Sequence, residues 1–225
     1  MSESFKGTIK PEGRDAQPGW EPFLEPGAPN RDRRVPSRER TRMTLYPGAS
    51  ELPERAGVQI AGRSFSVLVD ITVCRAEAKG VVYALGSRLG GHALFLKDKR
   101  VHYVYNWLGE IEQKMVSSRD VPMGRSVVGV RFKKVCVEKG VPHGTARLFI
   151  NDQQVAAMAM KIQPGYFSLA GEGSNVGLDR GQSVSSDYQP PFRFQGGTIK
   201  EVVVDVGNGR YLDIEREVAA AFARD

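Results

Sequence analysis

The pattern of apolar and polar positions changes sharply near residue 58 of the chain. From residue 64 to 73, every second position is apolar: Phe65, Val67, Val69, Ile71 and Val73. Such an alternation predicts a strand that buries one of its two faces. Shorter apolar runs bounded by Gly, Asp and Asn predict further strands at 80–87, 91–97, 101–107, 126–137, 145–152, 153–162, 166–171 and 197–206.

Polar residue pairs separate several of these predicted strands. Asp98-Lys99 and Asn151-Asp152 are turn-forming pairs and predict hairpin connections, although neither contains the glycine that such turns favour. Many short strands joined in this way, with almost no helical periodicity, predict a mainly β protein. The expected architecture is an antiparallel β-sandwich of jelly-roll type.

The two ends of the chain differ from this pattern. Residues 1–40 are rich in Pro, Gly and charge and predict an irregular, extended arm that ends in an Arg-rich linker. The sandwich is expected at 41–210, and one amphipathic helix at 211–225. The residues that form the apolar stripe of this helix are Ile214, Val218, Ala221 and Phe222. Large apolar residues of the arm could dock on a partner surface: Phe5, Trp20, Phe23 and Leu24.

The net charge of +6 is concentrated in one short segment. Residues 31–42 hold six arginines and two acids, which gives +4, so the remaining chain is nearly balanced. This run lacks apolar periodicity, contains a proline and predicts a solvated linker rather than a nucleic-acid arm. No apolar run approaches the roughly 20 residues needed to span a membrane. The N-terminus lacks a signal pattern, so we expect a cytoplasmic chain with no membrane partner.

Few residues have the pattern of a catalytic or metal site. Cys74 and Cys136 lie in apolar runs and are expected to be buried thiols, without His or Cys at metal-ligand spacing. His92 and His102 would lie on adjacent strands, where they could face one another as an ordinary pair on the sheet surface. The chain contains no G-x-S-x-G, phosphate-binding loop or H-E-x-x-H motif.

Two groups of residues are candidates for ligand binding. Tyr103, Tyr105 and Trp107 share one face of a strand by period two. These rings could stack on a sugar, or they could form the core of the sandwich. In the acidic, glycine-rich segment 173–188, Asp179 and Asp187 could bind calcium, or the segment could be a structured turn.

Several longer motifs resemble a known family. TRMTLYPGASELPE (41–54), GSRLGGHALFLKDKRVHYVYNWLG (86–109) and NVGLDRGQSVSSDYQPPFRFQGGTIKEVVVDV (175–206) resemble the C-terminal β-sandwich region of bacterial arylsulfatases. The leader FKGTIKPEGRDAQPGWEPFLEPGAPN (5–30) resembles the extreme N-terminus of the same enzymes. The resemblance implies a concanavalin A-like sandwich. It also implies that the linker after Asn30 stands where those enzymes have their catalytic domain.

The resemblance does not extend to the catalytic residues of that family. The sulfatase nucleophile is a Cys or Ser in a C/S-x-P-x-R motif, which neither Cys74, Cys136 nor any serine satisfies, and the aspartates that bind the metal are absent. Without these groups the chain lacks the covalent and electrostatic means of hydrolysis. We therefore expect no enzymatic activity and no cofactor, apart from the calcium alternative.

Three functions remain open. The first is an interaction or assembly module that pairs with itself or with a full-length sulfatase through surfaces left without a catalytic core. The second is a lectin-like domain that binds carbohydrate or sulfate esters through Tyr103, Tyr105 and Trp107, with Arg88 and His92 beside them. The third is an accessory part of a sulfatase whose catalytic core is another chain.

Overall fold

The computed structural model describes residues 40–165 and 172–207, which form two antiparallel sheets. The strands are β1 (Arg42–Leu45), β2 (Phe65–Val73), β3 (Gly80–Ser87), β4 (Gly90–Lys97), β5 (Arg100–Trp107), β6 (Ile111–Val116), β7 (Gly124–Glu138), β8 (Val141–Ile150), β9 (Gln153–Lys161), β10 (Ser174–Val176) and β11 (Gly197–Asp205). The six-stranded sheet has the order β1-β11-β2-β7-β8-β9, and the five-stranded sheet has the order β10-β3-β4-β5-β6.

The alternation that opens the sequence places β2 in the middle of the six-stranded sheet. Phe65, Val67, Val69, Ile71 and Val73 are all buried, while the residues between them are partly exposed. The buried side chains contact apolar side chains of the five-stranded sheet and form the inter-sheet core. The exposed face of the six-stranded sheet is the outer face of the sandwich.

Strands β3 and β4 of the five-stranded sheet are buried on both faces, which explains why they are apolar without strict alternation. The outer face of this sheet is covered by residues 178–195, here called the covering segment. Val184, Tyr188 and Phe192 of this segment pack on a second apolar cluster of the sheet. The sheet residues in that cluster are Val81, Ala84, Ala93, Phe95 and Val104. The five-stranded sheet therefore lies between the six-stranded sheet and the covering segment.

The predicted strands within the described residues are confirmed to within a few positions, and so is the predicted antiparallel sandwich. Three further strands, β1, β6 and β10, were not predicted because they are short or place polar residues inward. The predicted strand at 166–171, the predicted helix at 211–225 and all but the last residue of the predicted arm at 1–40, with Phe5, Trp20, Phe23 and Leu24, lie outside the described residues.

Both predicted hairpin turns form without glycine at the tightest positions. Asp98 and Lys99 have φ values of 50° and 64°, which belong to the left-handed region. Consecutive positive φ values are the geometry of the two-residue turn that matches the twist of paired strands. Asn151 likewise has φ 54° between β8 and β9.

The prediction that both cysteines are buried is wrong, because Cys74 and Cys136 are exposed. Cys74 is the first residue after β2, so it lies beyond the paired part of the strand. Cys136 follows an irregularity in the register between β7 and β8 and lies on an exposed part of that hairpin. Apolar neighbours in the sequence therefore did not imply burial at these positions. Among the described residues, no helix is long and apolar enough to cross a membrane.

Candidate functional site

The aromatic row predicted to bind a sugar lies in the inter-sheet core. Tyr103 and Tyr105 are 1% exposed, Trp107 is 7% exposed and His92 is 3% exposed. The period of two correctly placed the three rings on one face, but that face packs against the six-stranded sheet. This placement corrects the expectation of an open stacking surface, and the alternative in which the rings form the core is the observed one.

Hydrogen bonds within the core satisfy the polar groups of this row. The Nδ1 atom of His92 lies 2.8 Å from the hydroxyl oxygen of Tyr103. The hydroxyl of Tyr105 donates to Oε1 of Gln163 and accepts from the backbone N–H of the same residue. Burial lowers the pKa of His92 to about 3, so this imidazole is neutral near pH 7. These groups stabilise the sandwich and do not form an accessible site.

His92 and His102 lie on adjacent strands, as predicted, but on opposite faces of the sheet. His102 stacks on Phe95 on the outer face, with ring centroids 4.9 Å apart. The prediction that the two histidines could face each other is therefore wrong, because their register positions differ by an odd number of residues. Arg88 lies apart from both, in the exposed turn between β3 and β4, and its Nε donates to Oε1 of Gln182.

The two aspartates considered for calcium bind other protein groups. Asp187 forms an ion pair with Lys114, with 2.7 Å between the charged atoms. Oδ2 of the fully buried Asp179 accepts hydrogen bonds from the Tyr188 hydroxyl at 2.5 Å and from the Val184 N–H at 3.2 Å. In residues 40–165 and 172–207, no three His, Cys, Asp or Glu side chains are arranged to hold a metal ion.

Asp179 forms hydrogen bonds within the covering segment and orients its Tyr188 ring. Burial raises the pKa of its carboxyl group, and the nearby Glu172 and Glu51 add to this effect. Its Oδ1 atom has no hydrogen-bond partner among the residues that the structure describes. The hydrogen bond to Tyr188 holds that ring against Phe95, with centroids 5.1 Å apart. Asp179 thus fixes the position of an aromatic ring at the surface of the five-stranded sheet.

A cavity of about 620 Å³ opens beside this ring at one end of the sandwich. We call it the end groove. It is lined by residues 76–79 between β2 and β3, by 97–99 at the β4–β5 turn, and by 187–189 and Phe192 of the covering segment. The rings of Tyr188 and Phe192 are stacked, with centroids 5.1 Å apart and an angle of 21° between them. Tyr188 is buried and Phe192 is half-buried.

The end groove offers both hydrogen-bond donors and acceptors around these rings. The ammonium groups come from Lys79, Lys97 and Lys99, and the carboxylates come from Glu77, Asp98 and Asp187. Lys97 donates to the backbone carbonyl of Asp187 at 3.0 Å, which ties the β4–β5 hairpin to the covering segment. Formal charges in the lining are therefore balanced.

The end groove was not predicted from the sequence. Its residues come from separate segments that are brought together by strand pairing and by the path of the covering segment. Of the residues considered from sequence, Asp187 lines the groove, and Asp179 contacts Tyr188. The sequence feature that indicated part of this groove was the Asp98-Lys99 turn, because it correctly placed two charged residues at one end of the sheet.

Comparisons with known proteins extend the description of the fold. No family model matches the chain, and no curated protein matches it. The structure is similar to the CBM40 domain of Ruminococcus gnavus IT-sialidase bound to α2,3-sialyllactose, with TM-score 0.48 and 13% identity over 79% of this chain and 97% of that one. It is also similar to domains LG4-5 of the mouse laminin α1 chain, with TM-score 0.46 and 14% identity over 79% of this chain and 42% of that one.

A galectin of Caenorhabditis elegans, LEC-6, is similar with TM-score 0.41 and 9% identity over 72% of this chain and 95% of that one. The chain spans less than half of the laminin chain that it matches. At these identities and TM-scores, the likeness describes the shape of the sandwich and carries no functional information.

Proposed function

We propose that this chain is a non-catalytic carbohydrate-binding domain and that its saccharide site is the end groove. The observation that carries the proposal is the combination of a half-buried aromatic ring, Phe192, with a rim that contains both donors and acceptors. The cavity of about 620 Å³ falls within the range of about 300–1,000 Å³ that is usual for small-molecule sites.

The chemistry of a saccharide matches this lining. A pyranose has C–H groups that pack on an aromatic ring, and hydroxyl groups that both donate and accept hydrogen bonds. Ammonium groups only donate and carboxylates only accept. A rim with both kinds of group, such as Lys79 and Lys99 beside Glu77 and Asp98, therefore fits a ligand that is rich in hydroxyl groups.

The covering segment holds one wall of the end groove in place before a ligand binds. Glu112 accepts hydrogen bonds from the Ser186 N–H at 2.8 Å and from the Ser185 hydroxyl at 3.0 Å. Lys114 forms ion pairs with Glu112 and Asp187. These contacts attach the segment to β6, so binding requires little ordering of this wall, and a preformed site loses less affinity to conformational entropy.

A glycan array followed by calorimetry tests the proposal. We expect neutral oligosaccharides to bind. Phe192→Ala and Asp98→Asn should each lower the affinity for the tightest-binding oligosaccharide by about tenfold, since removing one hydrogen bond or ring interaction costs about 1.4 kcal/mol. Asn tolerates the positive φ of Asp98, so the second variant changes charge with little backbone strain. Asp152→Asn, in the exposed β8–β9 turn outside the groove, is the matched control and should bind normally. Saccharide binding that both groove variants leave unchanged would overturn the assignment of the site.

A second candidate is the interaction module expected from the sulfatase resemblance. The observation that favours it is the β7–β8 hairpin, where Val135 is 71% exposed and Val137 is 56% exposed. Apolar side chains grouped at such a surface are typical of protein contacts. Gel filtration with light scattering tests it, alone and with a full-length sulfatase of the resembling family. An assembly that Val135→Ser/Val137→Ser disrupts supports this function. A chain that stays monomeric both alone and with the sulfatase contradicts it.

A further inference from the structure

One row of residues crosses the entire outer face of the six-stranded sheet. Each member lies directly opposite the next on the neighbouring strand, so the side chains point to the same side. In order from β1 to β9 the row is Arg42, Asp205, Ser66, Arg131, Arg147 and Ala157. Two arginines are therefore cross-strand neighbours near the middle of this face.

Neither of these two arginines forms an ion pair with a carboxylate of the described residues. The ion pairs of this sheet are formed by other residues. Arg131 and Arg147 are exposed, and the small side chains of Ser66 and Ala157 stand on either side of them. The nearest acid in the row, Asp205, lies two strands from Arg131, which corresponds to about 10 Å. Its carboxylate already lies 4.0 Å from Arg42.

A third cation extends the group along β7. Lys133 lies two residues beyond Arg131 on the same exposed face, at a distance of about 7 Å. The guanidinium carbon of Arg131 lies 4.9 Å from the ring centroid of Phe149. This contact restricts the arginine to the surface of the sheet. We call Arg131, Lys133 and Arg147 the cationic patch.

The physical properties of the cationic patch match an anionic partner. Like charges directly opposite each other on neighbouring strands are destabilising, with side chains about 5 Å apart. An anion between them would remove that repulsion. Each guanidinium presents a planar set of donors that binds two oxygens of a sulfate or phosphate group at once.

We propose that the outer face of the six-stranded sheet binds a sulfated polysaccharide through the cationic patch. Charge complementarity supplies the attraction, and the row of sulfate groups along such a polymer matches cations spaced along and across the strands. Sequence-tolerant nucleic-acid binding relies on aromatic rings that stack on bases. The ring that contacts the patch, Phe149, is half-buried and lies under Arg131. This surface is separate from the end groove, and its function does not depend on that of the groove.

Calorimetric titration of the full chain with a heparin oligosaccharide tests this inference. We expect saturable binding at low salt, with an affinity that falls as salt rises because counterions compete for the cations. The double variant Arg131→Gln/Arg147→Gln should bind about tenfold more weakly or worse. Arg42→Gln is the matched control, since it changes an arginine of the same row that lies near a carboxylate; it should reduce the affinity less than twofold. No variant should unfold at a markedly lower temperature than the unchanged chain, because all three side chains are exposed.

Three results would overturn the inference. The first is heparin binding that the double variant leaves intact. The second is an equal loss in Arg42→Gln, which would show that net charge alone controls binding. The third is that the chain binds duplex DNA as tightly as heparin and that the double variant binds this DNA more weakly. This result would assign the patch to nucleic acid. Desulfated heparin should bind more weakly than heparin, and the double variant should leave that remaining binding unchanged, because binding in the end groove does not involve the cationic patch.

Discussion

The Nδ1 atom of His92 and the hydroxyl oxygen of Tyr103 lie 2.8 Å apart between the two sheets. Burial lowers the pKa of His92 from 6.5 to about 3. Between these values the unfolded chain binds a proton that the folded chain does not, so stability falls as the pH decreases. Between about pH 6.5 and about pH 4.5, this group should reduce the free energy of unfolding by up to about 3 kcal/mol.

Urea unfolding at the two pH values measures this effect. His92→Gln is the appropriate control, because glutamine is polar, of similar length and does not titrate. We expect the variant to be less stable at neutral pH and to lose less stability on acidification than the unchanged chain. Identical losses in both proteins would show that carboxylates, and not His92, control the acid sensitivity of the fold.

The side chain of Gln113 joins the edges of the two sheets. Its Nε2 donates to the backbone carbonyl of Lys161 at 2.8 Å, and its Oε1 accepts from the N–H of the same residue at 3.0 Å. Gln113→Ala removes both bonds and should lower the free energy of unfolding by about 1–3 kcal/mol. Urea unfolding measures this change, and amide hydrogen exchange at Lys161 should become faster. Gln154→Ala changes an exposed glutamine of β9, the edge strand that contains Lys161, and should change stability by about 0.5 kcal/mol or less.

The raised pKa of Asp179 predicts a pH effect of the opposite sign. A carboxyl group whose pKa is higher in the folded chain stabilises the protonated folded state, and this contribution is lost as the pH rises through the folded pKa. Asp179→Asn carries no charge at any pH. Relative to the unchanged chain, its stability should therefore improve as the pH rises above about 4, until the folded pKa of Asp179 is passed. A stability difference that stays constant over this range contradicts the raised pKa.

The exposed cysteines predict a simple chemical result. Cys74 and Cys136 should both react with a disulfide reagent such as DTNB without denaturant, to give two thiols per chain. Cys74→Ser and Cys136→Ser should each give one. If the thiols react only after unfolding, both cysteines are buried, as the sequence predicted.

The absence of the C/S-x-P-x-R motif predicts that the isolated chain does not hydrolyse aryl sulfates. A chromogenic aryl sulfate ester should show no turnover above the rate without protein, with or without divalent cations. An authentic arylsulfatase serves as the positive control in the same buffer. Turnover that persists through further purification would require a nucleophile other than the one used by that family.

The sequence predicted elements well where one face alone had to be buried. The alternation from Phe65 to Val73 identified a central strand, and its bounds were nearly correct. The strand β6 was missed because Gln113, which faces the neighbouring sheet edge, interrupts the apolar pattern. Period two also placed Tyr103 and Tyr105 on one face. It could not show whether that face meets solvent or another sheet, because this depends on contacts with distant residues.

The candidate site was less predictable for a related physical reason. Its rings belong to the covering segment, and Asp98 and Lys99 belong to a hairpin turn far away in the sequence. No local pattern reports that these segments meet. The cationic patch likewise depends on the register that sets Arg131 opposite Arg147, and the sequence alone leaves this register open.

The covering segment has a consequence for how this protein could diversify. Its Phe192 and Gln189 line the end groove but contribute nothing to the cluster between the two sheets. Changes at these positions alter what the groove contacts and leave the cluster between the two sheets unchanged. Ligand preference can therefore vary, through natural drift or directed evolution, on a scaffold that stays the same.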